Sequence, residues 1–358
     1  MKAYVNGATG LVGLSVIDAF LEAGHSIVAS DRPSSNFTEL EKRNVEVVPA
    51  ELDDIEAIKR GIKGVDVVVH VAGLFDLGAS PALLDSINRQ GTINVCEATL
   101  EAAPEIKRFV QVSTVGVYGK PVRVPCREDD PKNPRNPYEK SKWKGEMAAF
   151  DYHKKHGLPV TAIRPTLVYG PRAKYGHAMF LAGIAMMKAN GREVLWSLKS
   201  GPKSSHVHVE DVGRAALIVA TNDAAVGRAF NVAAPEPLGG TEFIHALADP
   251  LEMPLKPIIP FIAPLMTATG ALMPLVPNFL FKPLNSFLRK RWKELREQRG
   301  LTSDLDFRFD RDWVGYTTGD NYYDTESLAK LGMEWKWPDT TAGLKSTVDW
   351  YRDREWLP

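Results

Sequence analysis

In the run Tyr138-Glu139-Lys140-Ser141-Lys142, a phenol and an ammonium stand four residues apart. On a helix that spacing sets both on one face, a turn from each other. A free phenol loses its proton near pH 10, and a neighbouring positive charge favours the phenolate. Such a pair suits the transfer of a proton from an alcohol, or to a ketone, while a hydride moves. Alone the pattern is common, and a solvated helix face is its usual explanation. A hydroxyl partner is expected at the end of the preceding strand, where Val112-Ser113-Thr114 offers Ser113 and Thr114. Either would hydrogen-bond a substrate oxygen and turn it toward Tyr138, and either also suits a strand-end turn.

A hydride needs a carrier. Ala3-Tyr4-Val5 reads as a strand, and Asn6-Gly7-Ala8-Thr9-Gly10-Leu11-Val12-Gly13 as a turn running into a helix. The glycines are spaced G-x-x-G-x-x-G, where the strict dinucleotide fingerprint is G-x-G-x-x-G. In both, glycines let the backbone turn tightly and approach a pyrophosphate at a helix N-terminus. Gly7, Thr9, Gly10, Leu11, Val12 and Gly13 are therefore expected to cradle a dinucleotide, and a tight turn without ligand is the plainer alternative. Asp31 ends the second strand 18 residues after Gly13, near the ~20 at which an acidic ribose anchor is expected. A carboxylate there repels a 2′-phosphate, so NAD is the expected cofactor, with NADP the alternative that the adjacent Arg32 leaves open. Glu51 and Leu52, after the third strand, are expected beside the adenine; a helix-start capping role explains them equally well.

The elements that must position these groups alternate up to about Val168. Short β-branched runs occur at Ala3-Tyr4-Val5, 26–29, 45–48, 65–71, 109–112 and 160–163, with helical patterns at 11–22, 54–61, 82–102 and 138–156. Strand alternating with helix predicts an α/β fold, a Rossmann-type doubly wound parallel sheet. Residues 1–170 are expected to form the dinucleotide-binding domain. Residues 171–358 are expected to form a smaller substrate-binding region, interleaved with elements returning to the sheet. Strand-like pieces there include 206–209 and 229–232, and 327–351 reads as helices around a proline turn.

At this point the chain resembles the extended short-chain dehydrogenase/reductase superfamily, over nearly its whole length. The resemblance is carried by Gly7 to Gly13, His70-Val71-Ala72-Gly73, Asn88-Arg89-Gln90-Gly91-Thr92, Ser113-Thr114 with Val117-Tyr118-Gly119, and Tyr138 to Lys142. It continues through Arg164-Pro165-Thr166-Leu167-Val168-Tyr169-Gly170-Pro171, His206 to Val212, and Phe230-Asn231-Val232. The resemblance implies that Thr114, with Thr replacing the commoner Ser, is the catalytic hydroxyl and Tyr138 the acid/base. It implies that Lys142 also holds the nicotinamide ribose, and that Asn88 orders the site or a relay water. Ala72, Gly73 and Val112 would line the cofactor cleft; Pro165 and Leu167 would seat the nicotinamide. His206 and His208 are then strand residues rather than ligands, so no metal is expected. A homodimer through the Tyr–Lys helix is implied as well.

Composition sets outer bounds. The 358 residues are 44% hydrophobic and 25% charged, with 44 basic and 44 acidic side chains, so nothing points to nucleic acid. Cys96 and Cys126 are isolated, which fits a reducing cytosol. No secretory h-region is read at the N-terminus, and a cytoplasmic location is expected. For the substrate, residues 254–288 suggest an apolar pocket, hence a hydrophobic secondary alcohol or ketone, as in the 3β-hydroxysteroid dehydrogenase-like branch. A nucleotide-sugar epimerase is the alternative, with Arg172 and Lys174 available to a diphosphate. Dehydratases of this superfamily carry an acidic pair beside the hydroxyl, whereas Val115 and Gly116 follow Thr114 here. A non-catalytic NAD(P)-binding protein is the third reading, against which stand the retained Tyr138 and Lys142. Residues 257–281 carry no charge and five prolines. That argues against one spanning helix and for a peripheral membrane contact through 257–293, with Arg289, Lys290, Arg291 and Lys293 at the headgroups. A buried lid or a dimer contact explains the same run.

Overall fold

The computed structural model describes residues 1–303, Leu305, Phe307 and 318–358, without the side chains of Pro274 and Asn278. The chain divides into two compact units. The first comprises Met1–Thr166, Val209–Ala233 and Tyr323–Lys336, and the second Leu167–His208, Ala234–Tyr322 and Trp337–Pro358.

Seven strands build the sheet of the first unit: β1 (Lys2–Asn6), β2 (Ser26–Ser30), β3 (Glu46–Val47), β4 (Val67–His70), β5 (Arg108–Val112), β6 (Val160–Pro165) and β10 (Ala229–Val232). Their order is β10-β6-β5-β4-β1-β2-β3, and every pairing is parallel. The central strands are buried along their length, as β4 (Val-Val-Val-His) and β5 (Arg-Phe-Val-Gln-Val) show. That is what a parallel sheet covered on both faces requires. The connecting helices are α1 (Leu11–Glu22), α2 (Thr38–Glu41), α3 (Ile55–Ile62), α4 (Pro81–Asp85), α5 (Gly91–Ala102) and α6 (Pro137–His156), followed later by α8 (Val209–Thr221) and α12 (Glu326–Ala329). The chain winds outward through β2 and β3, then restarts on the other side of β1 with β4. The loops after β1 and β4 part company there, and a crevice opens at such a switch point.

Two departures from the expected elements matter for the site. The helix expected over 82–102 is broken into α4, a π-helical turn (Ser86–Gln90) and α5. The strand expected over 206–209 stops at His208, because Val209 already begins α8.

In the second unit, β7 (Leu167–Tyr169) pairs with β9 (His206–His208), and β8 (Leu195–Leu198) with β11 (Leu255–Ile259). Its helices are α7 (His177–Ala189), α9 (Gly240–Ala248), α10 (Ala263–Leu272), α11 (Lys282–Arg299) and α13 (Thr340–Asp353). His206 is a core residue: its Nδ1 lies 2.9 Å from His177 Nε2, and Phe243 stacks on its ring. Burial pushes its imidazole down to about 3. The apolar run proposed to line a substrate pocket behaves differently. No residue of α10 is buried, and its large side chains face outward. Among the described residues, no helix is long and apolar enough to cross a membrane.

Candidate active site

Tyr138 and Lys142 sit in the opening turns of α6, whose start is fixed by local chemistry. Asn136 accepts from the Glu139 N–H at 2.8 Å, Glu139 returns to the Asn136 N–H, and Pro137 occupies the first helical position. This reciprocal cap holds the helix N-terminus in one orientation. Across from it, Thr114 follows β5 and caps the short turn Val115–Tyr118, accepting the Gly116 N–H at 3.1 Å.

Burial and the Glu139 carboxylate hold the Tyr138 phenol above its ordinary value, and the nearby Thr114 hydroxyl acts the other way, favouring the phenolate. Ser113, the competing hydroxyl, is buried with no hydrogen-bond partner among the described residues. The Lys142 ammonium is engaged by the Val112 carbonyl at 2.7 Å. Burial pushes it down to about 8, against the pull of Glu146 one turn along α6. Burial is the largest influence on the Tyr138 phenol, so the four-residue step to Lys142 does not by itself bring it down. Arg164 is structural: it is buried against Glu146 and the Tyr118 hydroxyl.

Asn88 projects from the π-helical turn. Its Oδ1 accepts the Leu74 N–H at 2.7 Å, and its Nδ2 donates to the Leu74 carbonyl and to Ser141 Oγ. Ser141 Oγ in turn donates to the Tyr138 carbonyl. The loop after β4 is thereby tied to the Tyr–Lys helix. A Cβ on Gly73 would lie 3.0 Å from Asn88 Oδ1 and 3.4 Å from Lys142 Nζ, so Gly73, Asn88 and Lys142 converge. Sequence reasoning missed two members of this core, Asn6 and His70. Asn6 Oδ1 accepts the N–H groups of Val71 and Ala72 and lies 2.9 Å from His70 Nδ1. His70 Nε2 meets Thr92 Oγ1. Burial, with Lys142 nearby, pushes His70 down to about 3, so it is neutral. The sequence signals were a polar residue ending each of two apolar strands and, for His70, its place in the His70-Val71-Ala72-Gly73 run, neither of which assigned a role.

The glycine turn fits a dinucleotide. Gly7 has φ +67°, and a Cβ there would lie 2.7 Å from the Ala72 nitrogen; a Cβ on Gly13 would lie 2.1 Å from the Gly7 carbonyl. Only glycine allows β1, the β4 loop and α1 to meet so closely. Helix α1 starts behind Gly10, which brings no side-chain cap, so Leu11, Val12 and Gly13 open a helix N-terminus suited to phosphate. Asp31 follows β2, and its carboxylate accepts from Thr9 N and Oγ1, Arg32 N and Ser35 Oγ. Arg32 is exposed. Leu52 gives its carbonyl to Asn94 at 2.8 Å and packs beside Gly91. Glu51 is exposed, and it is Asp54 that caps α3. Pro165 ends β6, while Leu167 begins β7 in the second unit.

A parallel seven-stranded sheet, a glycine turn at its switch point and a hydroxyl–tyrosine–lysine set define an enzyme of the extended short-chain dehydrogenase/reductase class. The chain belongs to the NAD dependent epimerase/dehydratase family, whose sequence profile matches residues 3–233. The NAD expected from the glycine turn is that family's cofactor. A UDP-glucose 4-epimerase of Mycolicibacterium smegmatis is 29% identical over 272 residues, covering 72% of this chain and 85% of the relative. A dTDP-glucose 4,6-dehydratase of Streptomyces griseus is 31% identical over 194 residues, covering 53% of this chain and 58% of the relative. The crystal structure of a Thermotoga maritima UDP-glucose 4-epimerase with UDP-glucose shares the fold, with TM-score 0.70, 23% identity and 99% of each chain covered. The hydroxysteroid dehydrogenase-like branch is not singled out by these likenesses.

Proposed function

We propose that this enzyme epimerises a nucleotide-linked hexose by oxidising one secondary hydroxyl to a ketone and reducing it again from the opposite face. The observation that carries this reading is the Thr114–Tyr138 hydroxyl pair followed by Val115 and Gly116. The pair serves alcohol–ketone interconversion, and Val115 and Gly116 stand where dehydratases of this superfamily carry an acidic pair. The epimerase relatives support the same substrate class. The nicotinamide, when bound, supplies the hydride acceptor and donor. Tyr138 Oη takes the hydroxyl proton as the C–H hydride leaves and returns it to the keto oxygen when the hydride comes back, so no net oxidation remains. Thr114 Oγ1 orients that oxygen toward Tyr138. Lys142 holds the nicotinamide ribose, Asn88 keeps the β4 loop on α6, and Asp31 meets the adenosine ribose in preference to a 2′-phosphate, which selects NAD over NADP.

In this reading the first unit binds the cofactor and the second the substrate. Two further parts are proposed with it. The groove between α5 and α6, lined by Ile93, Trp143, Met147 and Tyr152, supports a homodimer. The two buried, unbridged cysteines support a cytoplasmic setting.

The deciding experiment offers UDP-glucose and UDP-galactose beside a panel of hydrophobic ketones and sterols. Sugar interconversion with no net NADH is expected. Stoichiometric NADH consumption on a hydrophobic ketone, without sugar interconversion, would return the substrate to the hydrophobic alcohol/ketone class.

A further inference from the structure

Between Met253 and Lys293 the chain has no aspartate or glutamate and six basic residues, Lys256, Lys282, Arg289, Lys290, Arg291 and Lys293, in a protein whose basic and acidic totals are equal. The same stretch turns its apolar side chains outward. Leu272 is 62% exposed, Leu275 75% and Phe279 61%, with Ile262, Leu265 and Phe287 also at least half exposed. They lie on consecutive elements running from the end of β11 through α10 into α11. Helix α11 is held to its unit by its second half, where Trp292 and Leu295 are buried, while its first half carries Leu284 and Phe287 into solvent. Trp196, 60% exposed, stands opposite Lys256 on the β8–β11 ribbon.

We propose that this stretch docks the second unit onto an anionic bilayer surface. The exposed leucines and phenylalanines enter the headgroup–acyl boundary, and the basic residues of α11 meet lipid phosphates. Large apolar side chains exposed together on consecutive elements mark an interaction site, and the charge selects the partner. Arg291 and Lys293 are met within α11 by Glu294 and Glu297, and a second copy of the chain would still set the remaining cations of the stretch against their like, with no carboxylate between residues 253 and 293. An anionic lipid surface supplies the missing charge. None of the described helices of the stretch is long and apolar enough to cross the bilayer. This contact stands apart from the catalytic reading.

The test is co-sedimentation of the full chain with vesicles of phosphatidylcholine alone or of equal parts phosphatidylcholine and phosphatidylglycerol. Capture by the mixed vesicles, weakened by added salt, is expected. Lys282→Glu and Lys290→Glu should each weaken it about fivefold or more. The double variant Leu275→Asp/Phe279→Asp should weaken it at least about tenfold. All three replace exposed side chains, so NAD binding should be unchanged and reports that the fold is intact. Absence of capture, equal capture by the neutral vesicles, or capture indifferent to these variants would overturn the proposal. So would a concentration-dependent dimer in ultracentrifugation that Leu275→Asp/Phe279→Asp dissolves, which would show that a second copy covers the face.

Discussion

Thr9 points both its backbone N–H and its hydroxyl at one carboxylate oxygen of Asp31, at 3.0 and 2.7 Å. The other oxygen is held by Arg32 N and Ser35 Oγ. Asp31 therefore braces the glycine turn as well as standing where a ribose anchor belongs. Asp31→Ala should move the NADP-to-NAD ratio of kcat/KM upward by about tenfold or more, because the charge opposed to a 2′-phosphate is gone. It should also lower stability by about 1–2 kcal/mol, because the Thr9 N–H loses its acceptor. Ser35→Ala, which leaves the charge in place, separates the two effects: its cofactor ratio should stay unchanged. An unaltered ratio in Asp31→Ala would reduce Asp31 to a brace.

Tyr138→Phe removes the proton-transfer group and little else. Turnover should fall by about a thousandfold or more, while calorimetry finds NAD affinity within about threefold of wild type. Thr114→Val should cost about a hundredfold in kcat, and Thr114→Ser should restore most of it, since the hydroxyl is kept. Retained turnover in Tyr138→Phe would remove this residue from its role.

Lys142 carries a charge in a site that disfavours charge. Its folded-state value is pushed down to about 8 from 10.5. The unfolded chain thus holds the proton more tightly, and the penalty is fully present below pH 8. It is relieved as pH rises from 8 toward 10.5. Lys142→Met should abolish turnover yet raise stability at pH 7 by about 1 kcal/mol, the charge penalty being partly offset by the bond lost at the Val112 carbonyl. Urea unfolding at pH 7 and above pH 10.5 checks this; a stability gain that does not shrink with pH would contradict it.

His70 works in the opposite part of the scale. Burial pushes it down to about 3 from 6.5, so as pH falls below 6.5 the unfolded chain takes up a proton that the folded chain refuses. Stability is lost progressively toward pH 3, by about 2 kcal/mol at pH 5 for this group. His70→Gln should lose correspondingly less between pH 7 and pH 5 in denaturant titrations. An identical acid response would mean that His70 is not held neutral.

Gly13→Ala places a Cβ 2.1 Å from the Gly7 carbonyl, and the nearest atoms are all backbone of Gly7 and Ala8, which leaves nothing to yield cheaply. NAD binding should be lost and stability should fall by about 2–3 kcal/mol. Gly24→Ala is the comparison for a glycine with open space around it but with φ +78°: it should cost about 1 kcal/mol and leave NAD affinity intact.

What was legible in the sequence was what is local. The glycine turn, the placement of Asp31 one strand later and the four-residue step from Tyr138 to Lys142 each lie within one strand–helix unit. Their periodicity reports them directly. The choice of Thr114 over Ser113 needed the resemblance, since both hydroxyls end the same strand. Asn6 and His70 were invisible because their bond joins residues 64 positions apart, and a polar residue ending an apolar strand has many explanations. Spacing places an ammonium on the right face but shows neither the burial around the Tyr138 phenol nor the Val112 carbonyl that engages the ammonium. The outward-facing apolar run was legible as composition but not as exposure, since hydropathy alone does not tell a pocket wall from a surface.

The π-helical turn at Ser86–Gln90 holds one residue more than an α-helical register would accept. Helices carrying such a turn are readily thought of as α-helices that gained a residue. In those terms the extra residue, more than the identity of the side chain, sets where Asn88 projects. Its amide spans the Leu74 backbone and the Ser141 hydroxyl because the surplus residue shifts the phase of everything before it by about 100° relative to α5.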